Sequence, residues 1–132
     1  MASRGIRNCN PGNLRLTKDK WKGLRPQQND REFFQFESME WGYRAMLITL
    51  RNYRKRHGCT TIASMIRRYA PENENNTSAY MAAVCNELQV PTTYSPDVDD
   101  KGTMCRLAAA MSRVENGVKA NMDEIRAGWD LI

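Results

Sequence analysis

The spacing of apolar positions changes character near residue 38. Before it, apolar residues come in short runs. GNLRLT (12–17) and REFFQF (31–36) alternate in part between apolar and polar residues, the period of a half-buried strand. NPGN (10–13) is a turn signal. Residues 4–37 therefore read as irregular backbone carrying a small β-hairpin, its arms joined by WKGLRPQQND. Beyond residue 38 the period lengthens to three and four. Met39, Tyr43, Met46, Leu47, Leu50 and Tyr53 form one stripe of an amphipathic helix. Ser38 is its N-cap, and Gly58 stops it after the cationic turn Arg54, Lys55, Arg56 and His57. TTIASMIRRYAP supplies a second helix with the stripe Ile62, Met65, Ile66 and Tyr69, ended by Pro71. Thr77 is the expected cap of a third, whose stripe is Met81, Val84, Cys85 and Leu88. A fourth helix, 103–115, buries Met104, Leu107, Ala108 and Met111. A fifth, 120–131, aligns Met122, Ile125, Trp129 and Ile132. The expected fold class is mostly α (α+β): a single domain over 1–132, with about five helices and a small β-hairpin near the N-terminus.

Length agrees with one domain, since 132 residues bury a core without disulfide staples. No apolar run approaches the roughly 20 residues of a membrane span. The opening MASRGIRNCNPGNLR lacks the apolar stretch of a secretory signal, so no signal peptide is expected. The net charge of +5 favours anionic partners or simply aids solubility. Arg51, Arg54, Lys55, Arg56, Arg67 and Arg68 carry much of it. No recognition motif accompanies them, so no nucleic-acid partner is expected.

The four cysteines, Cys9, Cys59, Cys85 and Cys105, and the single His57 do not have zinc spacing. Cys85 and Cys105 fall on apolar helix faces, as small core residues do; the pairing of the cysteines stays open. DVDDKG (97–102) begins like a calcium loop, but Lys101 and Ala108 occupy positions where carboxylates are needed. It reads as a turn leading into the fourth helix. No metal and no cofactor are expected.

Glu115 changes the picture. It lies four residues beyond Met111, seven beyond Ala108 and eleven beyond Met104. At about 100° per residue these offsets bring it close to the buried face of the helix that Asn116-Gly117 then ends. Burial and the negative end of the helix dipole both raise a carboxyl pKa there. A carboxylic acid kept protonated near neutral pH is what protonation of a glycosidic oxygen requires. The alternative is a terminal glutamate that turns to water or pairs with an arginine.

Three blocks bear on that choice. RGIRNCNPGNLR (4–15), followed by Trp21 and Gly23, resembles the opening RGIRNNNPGN of a family of small phage and prophage proteins. These are described as virion structural proteins or lysozyme-like hydrolases. FFQFESMEWGYRAM (33–46) matches that family's aromatic pair with Gly42, Arg44 and Ala45. TIASMIRRYAPENENNTSAY (61–80) matches its block of Ala70, Pro71, Glu74, Asn75, Thr77 and Tyr80. Cys9 stands where asparagine is usual, and Tyr69 where tryptophan is common. The blocks also resemble the lysozyme superfamily, especially lytic transglycosylases and glucosaminidases. In those, a helix ending in the catalytic glutamate comes first; here Glu115-Asn116-Gly117 comes last. That order implies a circular permutation, which the closeness of termini in compact domains permits.

The resemblance implies a lysozyme-like domain that cleaves the glycan strand of peptidoglycan, in the manner of a muramidase, lytic transglycosylase or glucosaminidase. Glu115 would be the general acid and later the base. Glu37, Glu40 and Glu74 are candidate second carboxylates. Tyr69 and Tyr80 would orient the sugar, Asn10 and Asn13 would bind N-acetyl groups, Trp21 would line the cleft, and Glu74 and Asn75 would contact substrate. Each has a structural alternative: core packing for the tyrosines, turn formation for the asparagines, a cover over the hairpin for Trp21, and capping of the third helix for Glu74 with Asn75. The implied partners are peptidoglycan and other virion proteins. The implied location is the bacterial cell wall, reached after cytoplasmic synthesis by release or as a virion component. The competing class is a non-catalytic virion or wall-binding protein on the same fold.

Overall fold

Six helices form among the described residues, 2–132, of the computed structural model: α1 (Arg4–Arg7), α2 (Met39–His57), α3 (Ile62–Tyr69), α4 (Thr77–Leu88), α5 (Lys101–Asn116) and α6 (Met122–Asp130). Each starts on a side chain that accepts one of the N–H groups a helix leaves unpaired: Ser3, Ser38, Thr61, Asn76, Asp100 and Asn121. Ser38 and Gly58 bound α2 as its sequence implies, with Gly58 left-handed at φ 66°. Asp100, the last acid of the calcium-like run, caps α5 by accepting from the Thr103 N–H at 2.8 Å.

The ends of other elements differ from expectation. α1 is an extra short helix inside the stretch read as irregular. Asn76, not Thr77, caps α4: its Oδ1 accepts from the Ala79 N–H at 3.1 Å. Thr77 instead points inward and donates its hydroxyl to the Ala70 carbonyl. α5 begins two residues before the expected 103 and ends one after 115. α6 ends at Asp130, leaving Ile132 exposed.

The stripes meet in one main core. Tyr43, Met46, Leu47 and Leu50 of α2 pack with Ile62, Met65 and Ile66 of α3, Val84 of α4, Met104, Leu107, Ala108 and Met111 of α5, and Ile125 of α6. Cys59, Cys85 and Cys105 are buried within it, and all four cysteines are free thiols. Together these elements form a single compact domain.

Among the described residues the expected β-hairpin does not form as strands. Two isolated antiparallel bridges take its place, Arg15 with Phe33 and Leu24 with Phe36. Main-chain bonds such as Phe34 N–H to the Leu14 carbonyl and Arg25 N–H to the Gln35 carbonyl pair the segments only locally, and side chains take much of the remaining backbone. The Gln28 amide donates to the Gln35 carbonyl and accepts from its N–H, each at 2.8 Å. Asp30 accepts from the N–H groups of Glu32 and Phe33. Phe34, Phe36 and Ala45 form a second, smaller core, with Leu14, Trp21, Leu24 and Trp41 against it. This N-terminal segment rests on α2 and on the C-terminal end of α5. At Gly42 any Cβ would collide with the Cys9 carbonyl, so only glycine lets the segment lie so close.

Candidate functional site

The last turn of α5 and the NPGN turn meet side by side. Asn116 donates to the Pro11 carbonyl at 2.8 Å and accepts from the Ser3 hydroxyl at 2.6 Å. Asn13 takes a left-handed conformation, φ 49°, which asparagine tolerates better than most residues. That turns its side chain toward the helix end, and its Nδ2 donates to Glu115 Oε1 at 2.8 Å. From α4, the Tyr80 hydroxyl donates to the Met111 carbonyl at 3.5 Å, near enough to Glu115 to influence its carboxyl.

Burial holds the Glu115 carboxyl above its ordinary range. The hydrogen bonds from Asn13 and Tyr80 and the charge of Arg15 offset part of that effect without reversing it. Burial, reinforced by the Glu115 charge, pushes the phenols of Tyr69 and Tyr80 well up, so both are neutral hydroxyls. The site thus couples a carboxyl whose charged form burial disfavours to two neutral phenols and one amide.

Beside it opens a groove of about 590 Å³. Trp21, Tyr53 and Tyr69 give it aromatic walls; Arg15 and Arg68 bring cations, and Asp19 and Glu74 bring carboxylates. Glu115 is not part of this lining. It adjoins the groove through Arg15, whose charge acts on it, and Tyr69, which feels its charge.

The residues singled out from sequence separate into three groups. Glu115, Asn13, Tyr80 and Tyr69 come together, and Tyr69 also anchors the NPGN turn by donating to the Gly12 carbonyl. Trp21 and Glu74 line the groove; Glu74 does not cap α4 but lies 3.5 Å from the Arg15 guanidinium. Asn10 and Asn75 stand apart. Asn10 is fully buried and spends its amide on main chain: it donates to the carbonyls of Leu14 and Phe34 and accepts from the Leu14 N–H. Asn75 is exposed and donates to the Pro71 carbonyl. Glu37 and Glu40 do not reach the groove.

Sequence reasoning missed Asp19, Tyr53, Arg15 and Arg68 as groove residues. Tyr53 carried a signal, as an aromatic at the far end of the α2 stripe. Asp19 and Arg15 carried none, because folding alone brings 15–21, 53 and 68–74 together. Among the described residues no group of three His, Cys, Asp or Glu side chains could hold a metal ion, and no helix is long and apolar enough to cross a membrane.

Fold and site together define a small, mostly helical domain whose fifth helix delivers a largely buried carboxyl to the edge of an open, mixed-charge groove. In sequence the chain is similar to Protein P5 of Pseudoalteromonas phage PM2, with 34% identity over 133 residues covering 98% of this chain and 81% of that protein. The chain belongs to the family of that phage protein. No protein-family model matches the sequence.

Proposed function

We propose that this member of a phage protein family cleaves the glycan strand of peptidoglycan, with Glu115 as proton donor to the leaving glycosidic oxygen. The observation that carries the reading is the Glu115 carboxyl itself. It is held by Asn13, burial favours its protonated form, and an aromatic-walled groove adjoins it. A general acid needs a pKa displaced toward the working pH and a fixed direction of attack; burial supplies the first and Asn13 the second. After bond cleavage the same carboxylate would take a proton back as base. Trp21, Tyr53 and Tyr69 offer faces on which sugar rings stack.

A lysozyme-like, circularly permuted arrangement is part of this reading. It is supported by the direct contact of the helix end at Glu115 and Asn116 with the turn at Pro11 and Asn13. In an unpermuted chain those pieces would be consecutive.

The test is digestion of purified peptidoglycan by the wild type and by Glu115→Gln, with products read by mass spectrometry. The expected outcome is muropeptide release by the wild type, with the variant slower by a factor of at least about 10². Intact glycan after incubation with a folded wild type, on walls of several chemotypes, would reject it. A second reading is favoured by one observation: Glu115 contacts Asn13 rather than lining the groove, as a clamp between two chain segments would. On that reading the protein is a non-catalytic virion component, and Glu115→Gln lowers stability and changes no chemistry.

A further inference from the structure

The two cations of the groove differ in what already occupies them. Arg15 is committed: its guanidinium lies 3.4 Å from Glu32 and 3.5 Å from Glu74, and it stacks over Phe33 at 5.1 Å. Arg68 makes no ion pair among the described residues. Its guanidinium lies over the Tyr53 ring, 5.3 Å from the centroid, and both residues line the groove. The stack fixes the plane of the guanidinium and leaves its edge of N–H donors available. Asp19, a carboxylate of the same lining, accepts from the Thr17 hydroxyl at 2.7 Å and forms no ion pair with Arg68.

An aromatic wall with a pre-oriented, unpaired guanidinium suits a ligand that presents a flat sugar face and a carboxylate together. A carboxylate matches the guanidinium fork with two parallel hydrogen bonds, and a neutral hydroxyl does not. We infer that Arg68 is the specificity-determining residue of the groove, binding the lactyl carboxylate of glycan stretches that carry no stem peptide, where that group is not tied up as an amide, so that the groove selects acidic over neutral amino-sugar oligomers. This rests on the glycan-cleaving function proposed above and adds to it which substituent is read, and by which residue.

Binding decides it without turnover. The full chain carrying Glu115→Gln is titrated by calorimetry at low salt with two tetrasaccharides. One is built of N-acetylglucosamine alone; the other alternates N-acetylglucosamine with N-acetylmuramic acid, whose lactyl group supplies the carboxylate. The expected result is about tenfold tighter binding of the acidic oligomer. Adding Arg68→Gln removes that preference and leaves the neutral oligomer's affinity within about twofold. Arg67→Gln, an exposed neighbour outside the groove, keeps the preference. Equal binding of both oligomers to the Arg68 protein overturns the role of Arg68 while leaving glycan recognition standing. So does a preference that survives Arg68→Gln or is lost equally with Arg67→Gln. Failure of both oligomers to bind overturns glycan recognition as a whole.

Discussion

Leu50 and Asn10 are both completely buried, yet they hold their surroundings by opposite means. Leu50 sits in the helical body, where stripes from five helices meet and the backbone pairs within each helix. Asn10 sits in the N-terminal segment, where backbone pairing is confined to two isolated bridges and side-chain amides and carboxylates supplement it. The helical body is sequence-tolerant in detail and depends on volume. The N-terminal segment is specific in detail and depends on individual hydrogen-bonding atoms. The candidate site lies on the seam between the two, with Glu115 from one and Asn13 from the other.

The largest effect expected is from cutting volume out of the body. Leu50→Ala removes buried methyl groups and leaves a cavity that rigid neighbours close only in part, a loss of about 3–4 kcal/mol in urea unfolding. Leu50→Met, which conserves volume, is expected to cost less than about 1.5 kcal/mol. In the segment the same test inverts. Asn10→Ala removes little apolar contact but strands the Phe34 carbonyl and the Leu14 N–H, while the Leu14 carbonyl keeps the Phe34 N–H, a loss of about 2–3 kcal/mol. The near-isosteric Asn10→Leu is expected to be no better. A small loss from Asn10→Leu, comparable with that of Leu50→Met, would mean that both regions are held by packing alone.

That contrast also explains what could be read before folding. The stripes of α2 to α6 were legible because a helix repeats its buried face every three to four residues, and five helices appeared where they were expected. Glu115 was legible for the same reason, by its offset from Met104, Ala108 and Met111. The hairpin was misread because partial alternation in GNLRLT and REFFQF does not say whether a ladder or side chains such as Gln28 and Asp30 will take the backbone. Thr77 was misread as a cap because Asn76 and Thr77 are both good caps, and only the burial of Thr77 decides between them. The groove was half legible: Trp21, Tyr69 and Glu74 came from motifs, whereas Asp19 and Arg15 belong to it only through the chain path of the segment.

A smaller effect probes helix ending rather than packing. Gly58 closes α2 at φ 66° with open space where a Cβ would be. Gly58→Ala therefore meets no clash and carries only the conformational cost of a left-handed alanine, about 1 kcal/mol, visible as a small drop in urea midpoint. Gly42→Ala has the opposite cause: collision with the Cys9 carbonyl, which would lift the segment off α2. The expected loss there exceeds that of Gly58→Ala, and amide exchange in residues 9–14 should rise with it. Equal losses would mean that the seam is loose enough to open without consequence.

The smallest effect is one of pH profile, and it too sets the regions against each other. Asp30, in the segment, is held well below its ordinary value of 3.8, chiefly by the Arg4 guanidinium. Its folded form prefers the charge, so its contribution is present above about pH 4 and is lost as pH falls through the lowered native value. Glu115, at the end of the body, is held above its ordinary value of 4.5 by burial. Its folded form prefers the proton, so its contribution is complete below 4.5 and declines as pH rises through the raised native value. Tyr69 and Tyr80 face it with phenols pushed well up, and neither titrates in that interval; the Arg15 charge acts on it as well. Glu115→Gln keeps an oxygen for Asn13 and removes the titration. Stability measured by urea unfolding from pH 4 to 8 should therefore fall less steeply for the variant than for the wild type, the two curves approaching at the acid end. Parallel curves would place the Glu115 carboxyl in free exchange with water, and would remove the elevated pKa on which its role as a proton donor depends.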